Sequence, residues 1–329
     1  MARMIQAVDF FSGIGGFTEG AERTGLVRVA LAVNHWPEAI EWHARNHPKA
    51  VHSCQDLAEL DMTCLPDLRE GLLLAAPACQ GHTSAGQPAR AGTGGNGRVD
   101  LDRVRSKHAR DRNTAWAVIS AADVARPRAI VVENVEAFQR WELFRSWVGC
   151  LEALGYAIRF RTLDASAFGS AQHRERTIIV ASLGAPIEFD PGDVRRASTV
   201  ESCLDADDAP ANRWTDLRGK SERMLSRMRR AQGEAGRRCL WNNVSESSGR
   251  PLDGVFPTIT TRTGSQLYLL DGDRGRLLNP RELARAQSFP DSYELPANRD
   301  LAGRLIGNAI DVRVSAAVVA QVAEAILHS

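Results

Sequence analysis

Cys79 lies in the stretch LLLAAPACQGHTSAG, where an apolar run of strand character delivers one cysteine onto a turn of Pro, Gly and small residues. A thiolate held just past a strand end is suited to nucleophilic addition, because it adds readily to an electron-poor carbon and later leaves. A free cysteine is more often a small core residue, and the other five (Cys54, Cys64, Cys150, Cys203 and Cys239) are read that way. No two cysteines form a CxxC pair, so neither a disulfide framework nor a metal site is expected. Glu133 closes the apolar run AIVVEN, at a strand end where parallel sheets collect ligands and where a carboxylate is costly to bury without a partner. It is the candidate acid. Arg174 and Arg176 alternate in QHRERTIIVAS, so both should face one side of a strand and Glu175 the other.

Strand-like and helix-like segments alternate through the first half of the chain. IQAVDFF, LVRVALAVN, GLLLAA, AIVVENV, YAIRFRTL and RTIIVAS read as strands. Helical patterns fall at about 16–24 and 37–46, across NTAWAVISAADVA and across ELFRSWVGCLEALG. This order predicts an α/β fold, a doubly wound and mostly parallel sheet covered by helices on both faces. Beyond about Gly184 the pattern breaks into sequence rich in Asp, Pro, Arg and Ser, with only short apolar runs. A smaller, irregular lobe is expected there. Regularity returns with NPRELARAQSF, helical behind a proline in its first turn, and with VRVSAAVVAQVAEAIL, whose apolar stripe should rejoin the first domain. The expected division is 1–184 plus 300–329 for the larger domain and 185–299 for the lobe and hinge.

A chain of 329 residues, 43% hydrophobic, can bury one large core with a smaller one beside it. No apolar stretch near its start is long enough for a signal or a membrane span, so a cytoplasmic location is expected. The formal net charge is only +1, but it is unevenly spread. Residues 213–250 carry ten basic against four acidic side chains, and residues 86–112 carry seven against three. Surpluses of that kind suit phosphate contacts, although a solvated helix face produces them too.

DFFSGIGGFTEG is a strand feeding a Gly-rich turn and a helix, a form that lets a ligand approach the backbone beside a helix N-terminus. With the residues above it completes an ordered set. DFFSGIGG, APACQGHTSAG, VVENVEAF, AQHRERTIIVAS, RELARAQSFPD and IGNAIDV together resemble the motif blocks of the cytosine-5 DNA methyltransferase family, in that family's order, over residues 9 to 312. The resemblance implies a class I, Rossmann-like methyltransferase fold that uses S-adenosylmethionine. It implies that Cys79 adds to carbon 6 of a cytosine flipped out of the duplex, that Glu133 stabilises charge at ring nitrogen 3, and that Arg174 and Arg176 stabilise the base and the intermediate. Asn134 would brace the cysteine loop. The cofactor residues it implies are Phe11, Gly13, Gly15, Asn34, Asp56 and Asn308. Gln80 on the cysteine loop, and Thr258, Thr260, Thr261 and Arg262 in the lobe, would touch double-stranded DNA, with residues 185–299 reading its sequence. The Gly-rich, basic segment after Cys79 has the composition of a lid.

Three positions depart from the family pattern: Asn34 and Asp311 stand where an acid and a proline are usual, and Ala78 where a second proline is. They keep open a donor other than ordinary S-adenosylmethionine. The resemblance further implies a modification enzyme in a prokaryotic or phage-infected cell, with any restriction endonuclease a separate chain, and no metal or membrane. The alternatives are the same chemistry on tRNA and an inactive DNA-binding homologue.

Overall fold

The computed structural model describes residues 4–78, 114–190, 192, 196–244 and 248–328. The long insertion after the cysteine, with Cys79, Gln80 and the basic segment 86–112, lies outside the described residues.

The larger sheet has the order β3-β2-β1-β4-β5-β7-β6. Its strands are β1 (Ile5–Phe10), β2 (Val27–Asn34), β3 (Val51–Cys54), β4 (Leu72–Ala75), β5 (Ala129–Asn134), β6 (Tyr156–Asp164) and β7 (Glu175–Leu183). The five from β3 to β5 are parallel, and β7 runs antiparallel to both β5 and β6. The reversal follows from chain length, since the ten residues 165–174 between β6 and β7 are too few for a crossover that would make those neighbours parallel. Every residue of β4 and β5 is buried, which explains their unbroken apolar runs. The edge strand β3, absent from the sequence reading, is short and polar enough to carry no strand pattern.

Side chains alternate between two cores. Leu72, Leu74, Val131, Ile178 and Val180 point to one face, where Val314, Val318, Val319 and Val322 cover them. Leu73, Ala75, Ile130, Val132 and Ile179 point to the other, against Val118, Ala121, Trp147 and Leu151. The helices involved are α1 (Gly16–Arg23), α2 (Pro37–Asn46), α3 (Trp116–Val124), α4 (Phe144–Ala153) and, at the C-terminus, α10 (Val312–Leu327). Helix α10 sits so close to α1 that a Cβ on Gly20 would lie 2.4 Å from the Ser315 side chain. Asp311 caps α10 by accepting from the Arg313 and Val314 amides, and it also accepts from Ser170 Oγ at 2.6 Å. Its departure from the family's proline therefore has a structural account in the cap.

The later lobe is more regular than its sequence suggests. It holds a five-stranded antiparallel sheet in the order β10-β9-β11-β12-β8. The strands are β8 (Thr215–Asp216), β9 (Arg238–Asn242), β10 (Gly249–Arg250), β11 (Leu267–Asp271) and β12 (Arg274–Leu277). Strands of two to five residues, three of them carrying arginine, are too short to show an apolar period. Strands β11 and β12 join through Gly272 and Asp273, with Gly272 at the positive φ that a two-residue hairpin needs. Short α5 (Val200–Cys203), α6 (Glu222–Ala235), α7 (Thr263–Gln266), α8 (Pro280–Ala286) and α9 (Arg299–Asn308) complete the described elements. Met228 and Ala231 of α6 close a small core with Cys239, Trp241 and Leu270.

Helix α8 begins with a capping box between Asn279 and Glu282. The Glu282 carboxylate also accepts from Arg276 at 2.7 and 2.8 Å, with both side chains fully buried. Removing one partner would leave the other charge buried and unpaired. Arg276→Ala is therefore expected to lower unfolding free energy by about 3 kcal/mol, measured as an earlier urea midpoint; an unchanged midpoint would show that water reaches the pair.

Candidate active site

The carboxyl ends of β4 and β5 lie side by side, and of the catalytic residues read from the sequence Glu133 and Arg176 meet there, while Cys79 lies just beyond the last described residue of the segment leaving β4. The chain leaving β4 is pinned in three places. Ala76 donates its amide to the Phe10 carbonyl, Ala78 donates its amide to Thr114 Oγ1 at 3.1 Å, and Asn134 Nδ2 donates to the Pro77 carbonyl at 3.3 Å. Asn134 thus holds the segment two residues before Cys79. Its neighbour Glu133 is 6% exposed, with Arg176 Nε 3.0 Å from Oε1. That N–H does not line up on the oxygen as a hydrogen bond, so the contact is an ion pair that leaves Oε1 without a hydrogen-bond donor among the described residues. A buried carboxylate that is held by charge yet open at one oxygen can meet a ring nitrogen.

Arg174 does not join this pair. Its guanidinium, 3% exposed, donates to the carbonyls of Ile259, Gly307 and Ala309. The alternation that placed Arg174 beside Arg176 holds along the backbone, but the strand begins only at Glu175 and the Arg174 side chain reaches a different set of partners.

At the other expected ligand position, the turn after β1 is strained. Phe11 has φ 58°, unusual for a residue with a Cβ, and Gly13 and Gly15 have φ 55° and 103°. A Cβ on Gly15 would come within 2.6 Å of the Tyr293 hydroxyl and 2.9 Å of His47 Nε2. Ser12 Oγ and Asp9 Oδ1 are buried beside this turn with no hydrogen-bond partner among the described residues. Asn34 is buried at the end of β2 and accepts the Trp36 amide through Oδ1 at 3.0 Å, which leaves its NH2 to donate outward. Asp56 and Asn308 are exposed. Strained turn, orphaned hydroxyl and available amide fit a polar nucleoside ligand. At Asn34, however, a ribose hydroxyl would accept a hydrogen bond where an acid would have made it donate.

Beneath this turn runs a polar network that sequence reasoning missed. Thr18 Oγ1 donates to Asp9 Oδ2 at 2.7 Å and lies 3.0 Å from His43 Nε2, while His43 Nδ1 lies 2.9 Å from His52 Nε2. His47 Nε2 is 3.0 Å from the Tyr293 hydroxyl, which donates to the Ile14 carbonyl. The available signal was the pair His43 and His47, four positions apart, one on α2 and the other at its C-cap. Burial pushes the Asp9 carboxyl up to about 7, against the pull of its Thr18 hydrogen bond. Burial also holds His43 well below its ordinary value, helped by His47 and His52. A raised acid contributes stability in full below its unfolded value of 3.8 and loses it as pH climbs through about 7. Asp9→Asn removes that dependence. The melting temperature of the variant minus that of the native chain should therefore rise between pH 4 and 7 and then level off; a difference independent of pH would contradict it.

In the lobe, Thr258 Oγ1 donates to the His173 carbonyl at 2.7 Å, and Thr260 Oγ1 lies 3.2 Å from Thr263 Oγ1. Thr260 and Arg262 are exposed and Thr261 is half-buried. The surplus of arginines is partly consumed within the lobe: Arg238 pairs with Asp207, and Arg227 lies over the Trp241 ring.

A model of the C-5 cytosine-specific DNA methylase family matches residues 5–324. The chain belongs to that family. Among its relatives, Type II methyltransferase M.NlaX of Neisseria lactamica is 27% identical over 98% of this chain and 97% of its own length. Type II methyltransferase M1.HphI of Haemophilus parahaemolyticus is 25% identical over 97% of this chain and 86% of its own. Of solved structures, a candidate DNA modification methyltransferase encoded within an E. coli prophage superposes with a TM-score of 0.70 at 17% identity, covering 99% of this chain and all of the other. DNMT2 of Spodoptera frugiperda superposes at 0.66 with equal identity, covering 99% of this chain and 100% of the other. These likenesses show a shared fold.

Proposed function

We propose that this chain methylates carbon 5 of cytosine in duplex DNA, as a Type II modification enzyme whose restriction endonuclease is a separate chain in the cytoplasm. The observation that carries the reading is the site at the ends of β4 and β5, where Glu133, ion-paired to Arg176, shares one edge with the pinned segment leading to Cys79. Carbon 5 of cytosine is too weak a nucleophile to attack a methyl sulfonium unaided. Addition of the Cys79 thiolate to carbon 6 turns the ring into an enamine as the Glu133 carboxyl, protonated when the base is seated, gives its proton to nitrogen 3, where the negative charge develops, and is left as the carboxylate that Arg176 holds. Arg176 keeps the carboxyl aimed at the ring. Once carbon 5 carries its methyl group, loss of the carbon 5 proton to water, return of the nitrogen 3 proton to Glu133 and departure of the thiolate restore aromaticity.

S-adenosylmethionine would supply the electrophilic methyl group. Phe11, Gly13, Gly15, Asn34, Asp56 and Asn308 would hold it, with Phe11 against the adenine. Thr260, Thr261 and Arg262 are accessible for groove contacts, and residues 185–299 would read the target. Among the described residues no helix is long and apolar enough to cross a membrane.

The test is bisulfite sequencing of genomic DNA from cells expressing the chain, with mass spectrometry of its nucleosides. Protected cytosines in one short context, and 5-methylcytosine as the product, are expected. Protection confined to tRNA would replace the substrate, a heavier substituent at carbon 5 would replace the donor, and no product on either nucleic acid would overturn the reading.

A further inference from the structure

Residues 171–174 and 256–259 run side by side. Gln172 and Phe256 form a parallel bridge, the Phe256 amide donates to the Ala171 carbonyl at 2.6 Å, and the His173 amide donates to the Phe256 carbonyl at 3.0 Å. Side chains extend the seam. Gln172 Oε1 accepts the Ile259 amide at 3.1 Å, and Thr258 Oγ1 donates to the His173 carbonyl. The segment that leads into β7 is thereby fastened to the segment that leads into the exposed residues Thr260 and Arg262.

Arg174 closes the seam from beneath. Its Nη1 donates to the Ile259 carbonyl at 2.9 Å, and its Nη2 to the carbonyls of Ala309 at 2.8 Å and Gly307 at 3.3 Å. Those last two carbonyls flank Asn308, at the end of α9. The same helix end presses on the threonine segment so closely that a Cβ on Gly307 would lie 2.3 Å from the Thr260 carbonyl carbon. One planar fork therefore ties together a residue preceding Thr260, the residues on either side of Asn308, and a strand that two positions later carries Arg176 to Glu133. A guanidinium can do this because its donors diverge at fixed angles. A lysine in its place gathers its three N–H donors on one nitrogen and cannot span carbonyls that Arg174 meets from two separate nitrogens.

We propose that Arg174 is a positioning residue that fixes the target-reading segment 258–262 and the cofactor residue Asn308 in one geometry relative to Glu133, and that it does not touch the base. The proposal rests on the methyltransferase reading above and revises the role that Arg174 takes by resemblance. It predicts that loss of Arg174 disturbs two distant events together, cofactor binding without DNA and discrimination among DNA contexts. An arginine that touched the base would affect neither.

The full chain and its variants Arg174→Ala, Arg174→Lys and Arg176→Ala are compared in two measurements. The first is calorimetric affinity for S-adenosylhomocysteine in the absence of DNA. The second is bisulfite sequencing of duplexes randomised around a central cytosine, at low conversion, to give the preference for the best context over the median. Arg174→Ala should weaken the first and flatten the second, each on the order of tenfold. Arg174→Lys should rescue neither, and it carries the test if the alanine variant does not fold. Arg176→Ala should slow methylation in every context alike and leave both readouts in place. The proposal falls if Arg174→Lys, or a folded Arg174→Ala, behaves as Arg176→Ala does. A native chain that methylates no cytosine in the library defeats the methyltransferase reading itself, before any variant is compared, and this proposal with it.

Discussion

Replacing Cys79 with alanine is expected to bring methyl transfer to background, a loss on the order of 10⁴-fold or more, with DNA still bound. The size follows from the chemistry, because without addition at carbon 6 the ring never becomes nucleophilic at carbon 5. The remaining cysteines are placed elsewhere. Cys203 and Cys239 are buried, and burial pushes each thiol up to about 11, so neither supplies thiolate near neutrality. Cys54 ends β3, Cys64 ends a short 3-10 helix (Met62–Cys64) and Cys150 lies on α4. The most direct check is a duplex carrying 5-fluorocytosine with S-adenosylmethionine present, because after addition and methyl transfer the fluorine on carbon 5 cannot leave as a proton does and the adduct stays trapped. The native chain should form an adduct that survives denaturation and Cys79→Ala should not. An adduct in the variant would move the nucleophile to another residue.

The central strands could be read from sequence because burial on both faces writes itself as unbroken apolar runs in LLLA and AIVVEN, and the residues closing them inherit a known place on the sheet edge. Glu133 and Asn134 were legible for that reason. What failed to show depends on partners distant in sequence. Arg174 and Arg176 look equivalent in QHRER, yet one meets β5 and the other meets carbonyls near 259 and 308, a difference set by how the chain returns some 85 and 135 residues later. The antiparallel sheet of the lobe was hidden because its strands are two to five residues long and divide their apolar side chains between two cores, Leu240, Leu267 and Leu269 on one and Cys239, Trp241 and Leu270 on the other. The network behind the Gly-rich turn was hidden because its members come from β1, two helices, an edge strand and Tyr293. Asp311 read as a departure near the cofactor and is in place a helix cap.

Glu133→Gln should lower kcat on the order of 10³-fold, about 4 kcal/mol in the barrier, with little change in affinity for S-adenosylhomocysteine. Glutamine fills the same volume and can still donate to a ring nitrogen, but it carries no proton to give and no charge for Arg176 to hold. Arg176 Nε, now 3.0 Å from a carboxylate oxygen, would face a neutral amide at a site 6% exposed, so the orientation of the side chain should loosen along with its chemistry. Because charge appears at nitrogen 3 as the thiolate adds to carbon 6, the rate of adduct formation on 5-fluorocytosine DNA should fall by a similar factor as kcat. Fast trapping with slow turnover would place Glu133 after methyl transfer, in elimination. An unchanged kcat would remove it from the mechanism, and the ion pair at the end of β5 would then be a device for burying a charge.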